Sequence, residues 1–240
     1  MNKPLIAITG ASSGIGYEIA KVCAEQGHPL LLMARRVEPM LELGIKKSVC
    51  RSVDVRDRKA IVEAVKEAEA KFGPIDMMVA NAGLARLANV MRQDPDEWDE
   101  MIDINVRGVL NTVHSVMRQM AERKSGSLVI MGSVAGAKCY PDHTVYGATK
   151  AFVRSLSASL RETLADSNVR VIHLSPGITE TNVLSAVTDE KTLAAYQRSV
   201  KWIGGGLDAS IIAKHVYIAY SMPQDVNVQE ISLAPTRQKF

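Results

Sequence analysis

Ser133, Tyr146 and Lys150 are the residues whose types and spacing best suit the movement of a proton. Ser133 opens Ser133-Val134-Ala135-Gly136, and Tyr146-Gly147-Ala148-Thr149-Lys150 begins thirteen residues after it. If Tyr146 opens a helix, Lys150 follows one turn later on the same face, beside the phenol. A phenol gives up its proton near pH ~10. A neighbouring cation lowers that by roughly 1–3 pH units, into the range of general acid–base work. The Ser133 hydroxyl would hold a carbonyl oxygen next to that phenol. A surface tyrosine and lysine sharing a helix face would show the same spacing, so its meaning rests on what accompanies it.

A second constellation lies near the start of the chain. Thr9-Gly10-Ala11-Ser12-Ser13-Gly14-Ile15-Gly16 follows the apolar run Leu5-Ile6-Ala7-Ile8. It leads into apolar residues at helical spacing, Ile15, Ile19, Val22 and Cys23, with Gly27 as the helix stop. Strand, glycine loop and helix together predict a dinucleotide site. Gly10 permits the tight turn, Gly14 lets backbone approach a pyrophosphate, and Gly16 allows close helix–strand packing; the helix N-terminus attracts the anion. A glycine-rich turn without a ligand is the alternative.

The same site carries a cofactor preference. An NAD-selective site places an acid about twenty residues past the glycines, for the ribose 2′-hydroxyl. Nineteen residues past Gly16 this chain has Arg35, followed by Arg36. One guanidinium can grip a 2′-phosphate with paired charge-assisted hydrogen bonds, and a second can stack on the adenine. The spacing therefore predicts NADP(H). Glu38, the nearest acid, precedes Pro39 at a helix start, where it complements the dipole. The plain alternative is two solvated arginines at a strand end.

The elements that must position these residues alternate strictly. Strands are predicted at Leu5–Ile8, Leu30–Met33, Val49–Val53, Ile75–Ala80, Ser127–Met131, Val169–Leu174 and Gln229–Leu233. Between them lie an amphipathic helix from Arg58 to Phe72 and a helix capped at Asp94-Pro95-Asp96-Glu97. The latter is predicted to run past Asn105 to about Lys124, with a bend. The Tyr146 helix is predicted to reach about Asp166. Alternation of this kind builds right-handed βαβ units around a parallel sheet. The expected fold is a single-domain α/β doubly wound (Rossmann) fold over residues 1–240, with about seven parallel strands and helices on both faces. Ligands of such sheets sit at the carboxyl ends of the strands, near the switch in strand order. The glycine loop, Arg35-Arg36, Asp54, Asn81-Ala82-Gly83, Ser133 and Pro176-Gly177 each follow a predicted strand, so they converge there. Residues 178–207 break the rhythm: a short helix near Asp189–Lys201, then Trp202-Ile203-Gly204-Gly205-Gly206. Three glycines read as a floppy joint, and Trp202, Val183 and Leu184 as apolar cover, so a substrate lid is expected.

Composition narrows the class. The chain has 240 residues, 47% hydrophobic and 23% charged, enough for a sizeable core. A net charge of +3 gives no argument for nucleic acid or an anionic membrane. Cys23, Cys50 and Cys139 are scattered without metal-ligand spacing and suit a reducing cytoplasm. No metal site is expected. Met1-Asn2-Lys3-Pro4 leads straight into a strand, so no signal peptide is expected. His28, His114, His173 and His215 have no companion ligands. His143 and Cys139 lie near the predicted cleft with no assigned role.

Taken together, these residues resemble the short-chain dehydrogenase/reductase family, of the NADP-preferring type. The likeness spans the whole chain and rests on Thr-Gly-x-x-x-Gly-x-Gly at Thr9–Gly16, Asn-Ala-Gly at Asn81–Gly83, Asn105, Ser133, Tyr-x-x-x-Lys at Tyr146–Lys150, and Pro176-Gly177. It implies that Tyr146 is the catalytic acid/base, that Lys150 lowers its pKa and holds the nicotinamide ribose, and that Ser133 polarises the carbonyl. Asn105 would hold a water in the proton relay. Gly10, Ser12, Ser13, Gly14, Ile15, Gly16, Arg35, Arg36, Asn81, Ala82, Gly83, Pro176 and Gly177 would line the cofactor site. Asp54, with Val55 beside it, would meet the adenine, and Thr179 or Thr181 the carboxamide or phosphates.

Two departures are visible: Ala80 where the family commonly has a first Asn, and Gly132 where it has a second Ser. The stretch Glu230–Thr236 resembles the tail of NADP-dependent members acting on small hydroxy acids or ketones. The expected function is NADPH-dependent hydride transfer between nicotinamide and a small ketone, secondary alcohol or hydroxy acid, by a homotetramer or homodimer with the Asn105 and Tyr146 helices at the interface. The alternatives are an NAD-dependent alcohol dehydrogenase and a non-catalytic nucleotide-sensing regulator. Intact Ser133, Tyr146 and Lys150 argue against the regulator.

Overall fold

Short apolar runs between turn residues form the centre of the molecule. A computed structural model describes residues 3–239, so Met1 and Asn2 of the expected leader-free start, and Phe240, lie outside the described residues. Strands β1 (Leu5–Thr9), β2 (Leu30–Ala34) and β5 (Ser127–Met131) are buried at every position. They join β3 (Ser48–Ser52), β4 (Ile75–Ala80), β6 (Arg170–Pro176) and β9 (Glu230–Leu233) in one seven-stranded sheet, ordered β3-β2-β1-β4-β5-β6-β9. Every pairing is parallel. A second, two-stranded sheet pairs β7 (Thr179–Glu180) with β8 (Leu207–Asp208).

Alternation along the strands sends side chains to two cores. Leu5 and Ala7 face α3 (Arg58–Phe72), α5 (Gly108–Glu122) and α6 (Thr144–Leu164). Ile6 and Ile8 face α1 (Gly14–Glu25), α2 (Glu38–Glu42) and α8 (Ala209–Ser221). The doubly wound architecture expected from the alternation of elements is therefore the observed one. The strand order reverses between β1 and β4, where the first connection leads outward to β2 and the later one returns. Loops leaving those two strands diverge and open a crevice.

Two elements differ from the sequence reading. The single bent helix expected from Asp94 to Lys124 is α4 (Pro95–Ile102) and α5, joined by a π-helical turn at Asp103–Arg107. Its start is as expected, with Asp94 Oδ1 accepting from Asp96 N at 3.0 Å. Helix α8 has no sequence-based counterpart. It buries Ile212, Ala213, Val216 and Tyr220 while exposing Ile211 and Ile218, which blurs the apolar stripe that marks a helix. Helix α7 (Glu190–Ile203) covers the short helix expected near Asp189–Lys201.

Candidate active site

The crevice is a cavity of about 900 Å³ at the carboxyl ends of the strands. Among the residues singled out from the sequence, Gly10, Ser12, Ser13, Gly14, Ile15, Arg35, Arg36, Asp54, Val55, Asn81, Ala82 and Gly83 line it. Ser133, Tyr146, Lys150, Pro176, Gly177, Thr179 and Thr181 line it as well. Gly16 and Asn105 do not, and each lies directly behind the wall.

At one end the cavity meets the N-terminus of α1. Ser13 is the N-cap residue, yet its side chain makes no capping bond, and the first turn carries no acid. The first backbone N–H groups and the free hydroxyls of Ser12 and Ser13 thus suit an anion such as a pyrophosphate. The loop is fixed from below. Thr9 Oγ1 donates to Val79 O and accepts from Asn81 N at 3.1 Å, while Asn81 Nδ2 donates to Thr9 O at 2.9 Å. Asn81 therefore ties the exits of β1 and β4 together. A side chain at position 16 would collide with Asn81 Nδ2 and lie 2.5 Å from Gly10 O, so only glycine lets helix and strand approach. Thr181 sits against the same loop, its Cγ2 3.2 Å from where a Cβ on Gly14 would be.

Arg35 and Arg36 leave the end of β2 exposed on the cavity lining, and neither forms an ion pair among the described residues. Asp54, after β3, is held by Arg56, whose Nη2 lies 2.6 Å from Oδ2. That hydrogen bond keeps the Asp54 carboxyl below its usual range. The lone acid at this end is thus neutralised locally, while two cations remain free. The residues present fit a phosphorylated dinucleotide.

At the other end stand Ser133, Tyr146 and Lys150. Ser133 caps a 3₁₀ turn, its Oγ accepting from Ala135 N at 3.1 Å. Lys150 is 4% exposed, and its ammonium donates to Met131 O at 2.9 Å while lying 5.9 Å from the Tyr146 ring centroid. Burial pushes the Lys150 pKa down to about 8. Burial also raises that of Tyr146, against the smaller opposing effect of Ser133. The sequence reading has the lysine lowering the phenol, whereas in the free protein the net direction is upward. The phenol end is enclosed although the residue as a whole is half-buried, and desolvation sets the direction of the shift. Tyr146 consequently keeps its proton at neutral pH in the free protein, the state required of an acid.

Asn105, fully buried at the π turn, holds the scaffold behind these groups. Its Oδ1 accepts from Leu84 N at 2.8 Å, and its Nδ2 donates to Leu84 O at 2.8 Å and to Thr149 Oγ1 at 3.1 Å. The amide thereby fixes the loop after β4 to the residue preceding Lys150. The Gly132 departure also has a local reason. His173 on β6 occupies the space beneath it, with Nε2 2.5 Å from where a Cβ on Gly132 would be. A side chain at 132 would force the His173 ring to move.

The sequence reading did not single out Tyr140, Tyr196 or Gln238, all of which line the cavity. Tyr140 lies in the segment between Ser133 and Tyr146, its one sequence-level signal. Tyr196 comes from α7, and Gln238 from the C-terminal segment, where its Oε1 accepts from Ile178 N at 2.8 Å. Trp202, expected as cleft cover, is 60% exposed and stacks with Lys239 instead. Val183 and Leu184 do line the cavity.

The chain is similar to known proteins. The family model described as short chain dehydrogenase matches residues 4–192. Sulfoacetaldehyde reductase 2 of Chromohalobacter salexigens is 37% identical over 98% of this chain and 96% of its own length. The NADP-dependent 3-hydroxy acid dehydrogenase of Salmonella typhi is 34% identical over 98% and 96%. Among solved structures, the closed form of a serine dehydrogenase complexed with NADP+ superposes with a TM-score of 0.90 at 32% identity, covering 98% of this chain and 96% of that one. With a glycine loop at the switch point and a family match along most of its length, the chain belongs to the short-chain dehydrogenase/reductase family and is a nicotinamide-dependent oxidoreductase.

Proposed function

We propose that the protein is an NADPH-dependent reductase of small carbonyl compounds, reversible as an alcohol dehydrogenase, with Tyr146 as its acid/base. The observation that carries this reading is Tyr146 standing with Ser133 and Lys150 on the wall of the dinucleotide cavity, the Lys150 ammonium 5.9 Å from its ring centroid. When bound, the nicotinamide supplies a hydride to the carbonyl carbon. Ser133 orients the carbonyl oxygen, and Tyr146 Oη gives it a proton. Lys150 holds a positive charge near the phenol as it becomes phenolate, and its Met131 bond fixes its position. Asn105 acts as a positioning residue through Leu84 and Thr149. Its assignment as holder of a relay water rests on the family likeness, since both its amide hydrogens are already donated.

Tyr146→Phe is expected to lower turnover by ~10²–10⁴-fold, the worth of general acid catalysis, while cofactor binding stays close to the parent's. A Phe variant retaining a tenth of the parent's rate would overturn the assignment.

The preference for NADPH rests on Arg35 and Arg36, with relatives named for NADP as support. NADPH is expected to bind ~10-fold or more tighter than NADH, less so at high salt, and Arg35→Asp to narrow or invert the ratio. Titration of both cofactors side by side decides it, and equal affinities in the parent would reject the preference. We further read the protein as a cytoplasmic homotetramer or homodimer. Unpaired Cys139 is exposed, which suits a reducing compartment, and Leu110 and Phe152 lie exposed on α5 and α6.

A further inference from the structure

The substrate end of the cleft has walls that the proton chemistry does not use. Tyr140 and His143 stand on the segment before α6, and Tyr196 of α7 faces them. The His143 ring lies 5.1 Å from that of Tyr140, 6.1 Å from Tyr146 and 6.4 Å from Tyr196, centroid to centroid. Two buried polar atoms in this cluster lack a partner among the described residues: the Tyr140 hydroxyl and His143 Nδ1. Buried polar groups are hydrogen-bonded as a rule, and an orphan pair on a ligand cavity calls for a ligand group. A tyrosine hydroxyl can donate and accept, and a neutral imidazole nitrogen does one or the other according to its tautomer. Burial lowers the His143 pKa, so the ring is neutral at pH 7.

The charges at this end decide what that group is. Among the described residues, the cations lining the cavity are Arg35, Arg36 and Lys150. The arginines belong to the dinucleotide end, and Lys150 is bonded to Met131 O. Lys138 lies over the Tyr140 ring, 5.5 Å from its centroid, with its ammonium on Lys239 O. Arg86 and Arg92, near the lid, are paired with Glu100 and Asp189. Asp142 adds an acid to the lining. A carboxylate arriving here meets an anion and no unengaged cation, whereas a hydroxyl meets two unpaired partners.

We propose that the substrate is an uncharged hydroxyketone or hydroxyaldehyde whose hydroxyl bonds to Tyr140 and His143 while its carbonyl oxygen lies at Ser133 and Tyr146. This rests on the reductase reading above and departs from the acidic compounds for which two relatives are named. The carbonyl carbon gains a hydride from the reduced nicotinamide, and the carbonyl oxygen takes the Tyr146 proton. The product is a diol, and Tyr146 regains a proton from water.

The test is NADPH oxidation with a matched set: 2-butanone, its 1-hydroxy and 4-hydroxy derivatives, and 2-oxobutanoate. The better hydroxyketone is expected to exceed both 2-butanone and 2-oxobutanoate by ~10-fold or more in kcat/KM. Tyr140→Phe and His143→Phe should each raise its KM by ~10-fold, and impair 2-butanone far less than the hydroxyketone. His143→Asn, which places an amide near the position of Nδ1, should restore most of the loss. Preference for 2-oxobutanoate, or variants that impair 2-butanone equally, would overturn this inference and leave the reductase reading standing. No turnover of any of the four by protein that binds NADPH would overturn both.

Discussion

Lys150 shows what the site demands of the fold at the scale of one residue. Its ammonium is buried with a single carbonyl partner among the described residues, and burial brings its pKa to about 8. In the unfolded chain a lysine holds its proton to pH ~10.4. Between these values the unfolded state binds more protons than the native one, so the Lys150 contribution improves as pH rises. Below about 8 the native state carries the whole penalty of a buried charge. Lys150→Met is therefore expected to abolish turnover yet raise the melting temperature at pH 7 by roughly 5 °C, a gain that fades toward pH 10. Thermal unfolding across that range checks it, and a lower melting temperature for the variant at pH 7 would refute it. Lys150 and Tyr146 were legible in the sequence because helical spacing puts them together without knowledge of the fold. The sign of the Tyr146 shift was not, since it depends on burial by distant residues. His173 beneath Gly132 was equally invisible, because the β5–β6 register makes that contact.

At the scale of elements, the segment after β6 departs most from its reading. Its three glycines predicted a loose joint. In the structure Gly204 and Gly205 take φ values of 90° and 112° and close the C-terminus of α7, bonding back to Lys201 O and Val200 O. Such angles suit glycine, so the run encodes a defined turn. It leads into β8, which registers Leu207 against Thr179 of β7 and ties both ends of the segment together. Between those ties, Arg86 donates to Ala186 O and Thr188 to Glu97. We expect a lid that moves as a unit on the β7–β8 base and orders over cofactor and substrate. Limited proteolysis should cut within residues 182–203 of the free protein and slow when NADPH and a substrate analogue are bound. Equal cutting in both states would argue against a lid.

For the whole molecule, the parallel sheet and its crevice were legible because each strand is a short apolar run ending in turn residues. The π turn, α8 and the β7–β8 pair were not, because tertiary packing rather than local pattern specifies them. Outward-facing Leu110 and Phe152 on α5 and α6 lead us to expect self-association through those helices. Sedimentation should show a dimer or tetramer, and Phe152→Glu should shift it toward monomer; a monomeric parent would dismiss the interface. The strand order also sets a timetable for synthesis. The cavity takes its first lining residue from Gly10 and its last from Gln238, and β6 waits for β9 as its outer neighbour. While a growing chain is short of Glu230, the β6 edge stands open and the wall at Gly177 and Ile178 lacks its cover. The wall behind Gly177 and Ile178 is therefore completed only after β9 has paired, and until then β6 offers an open edge to other chains.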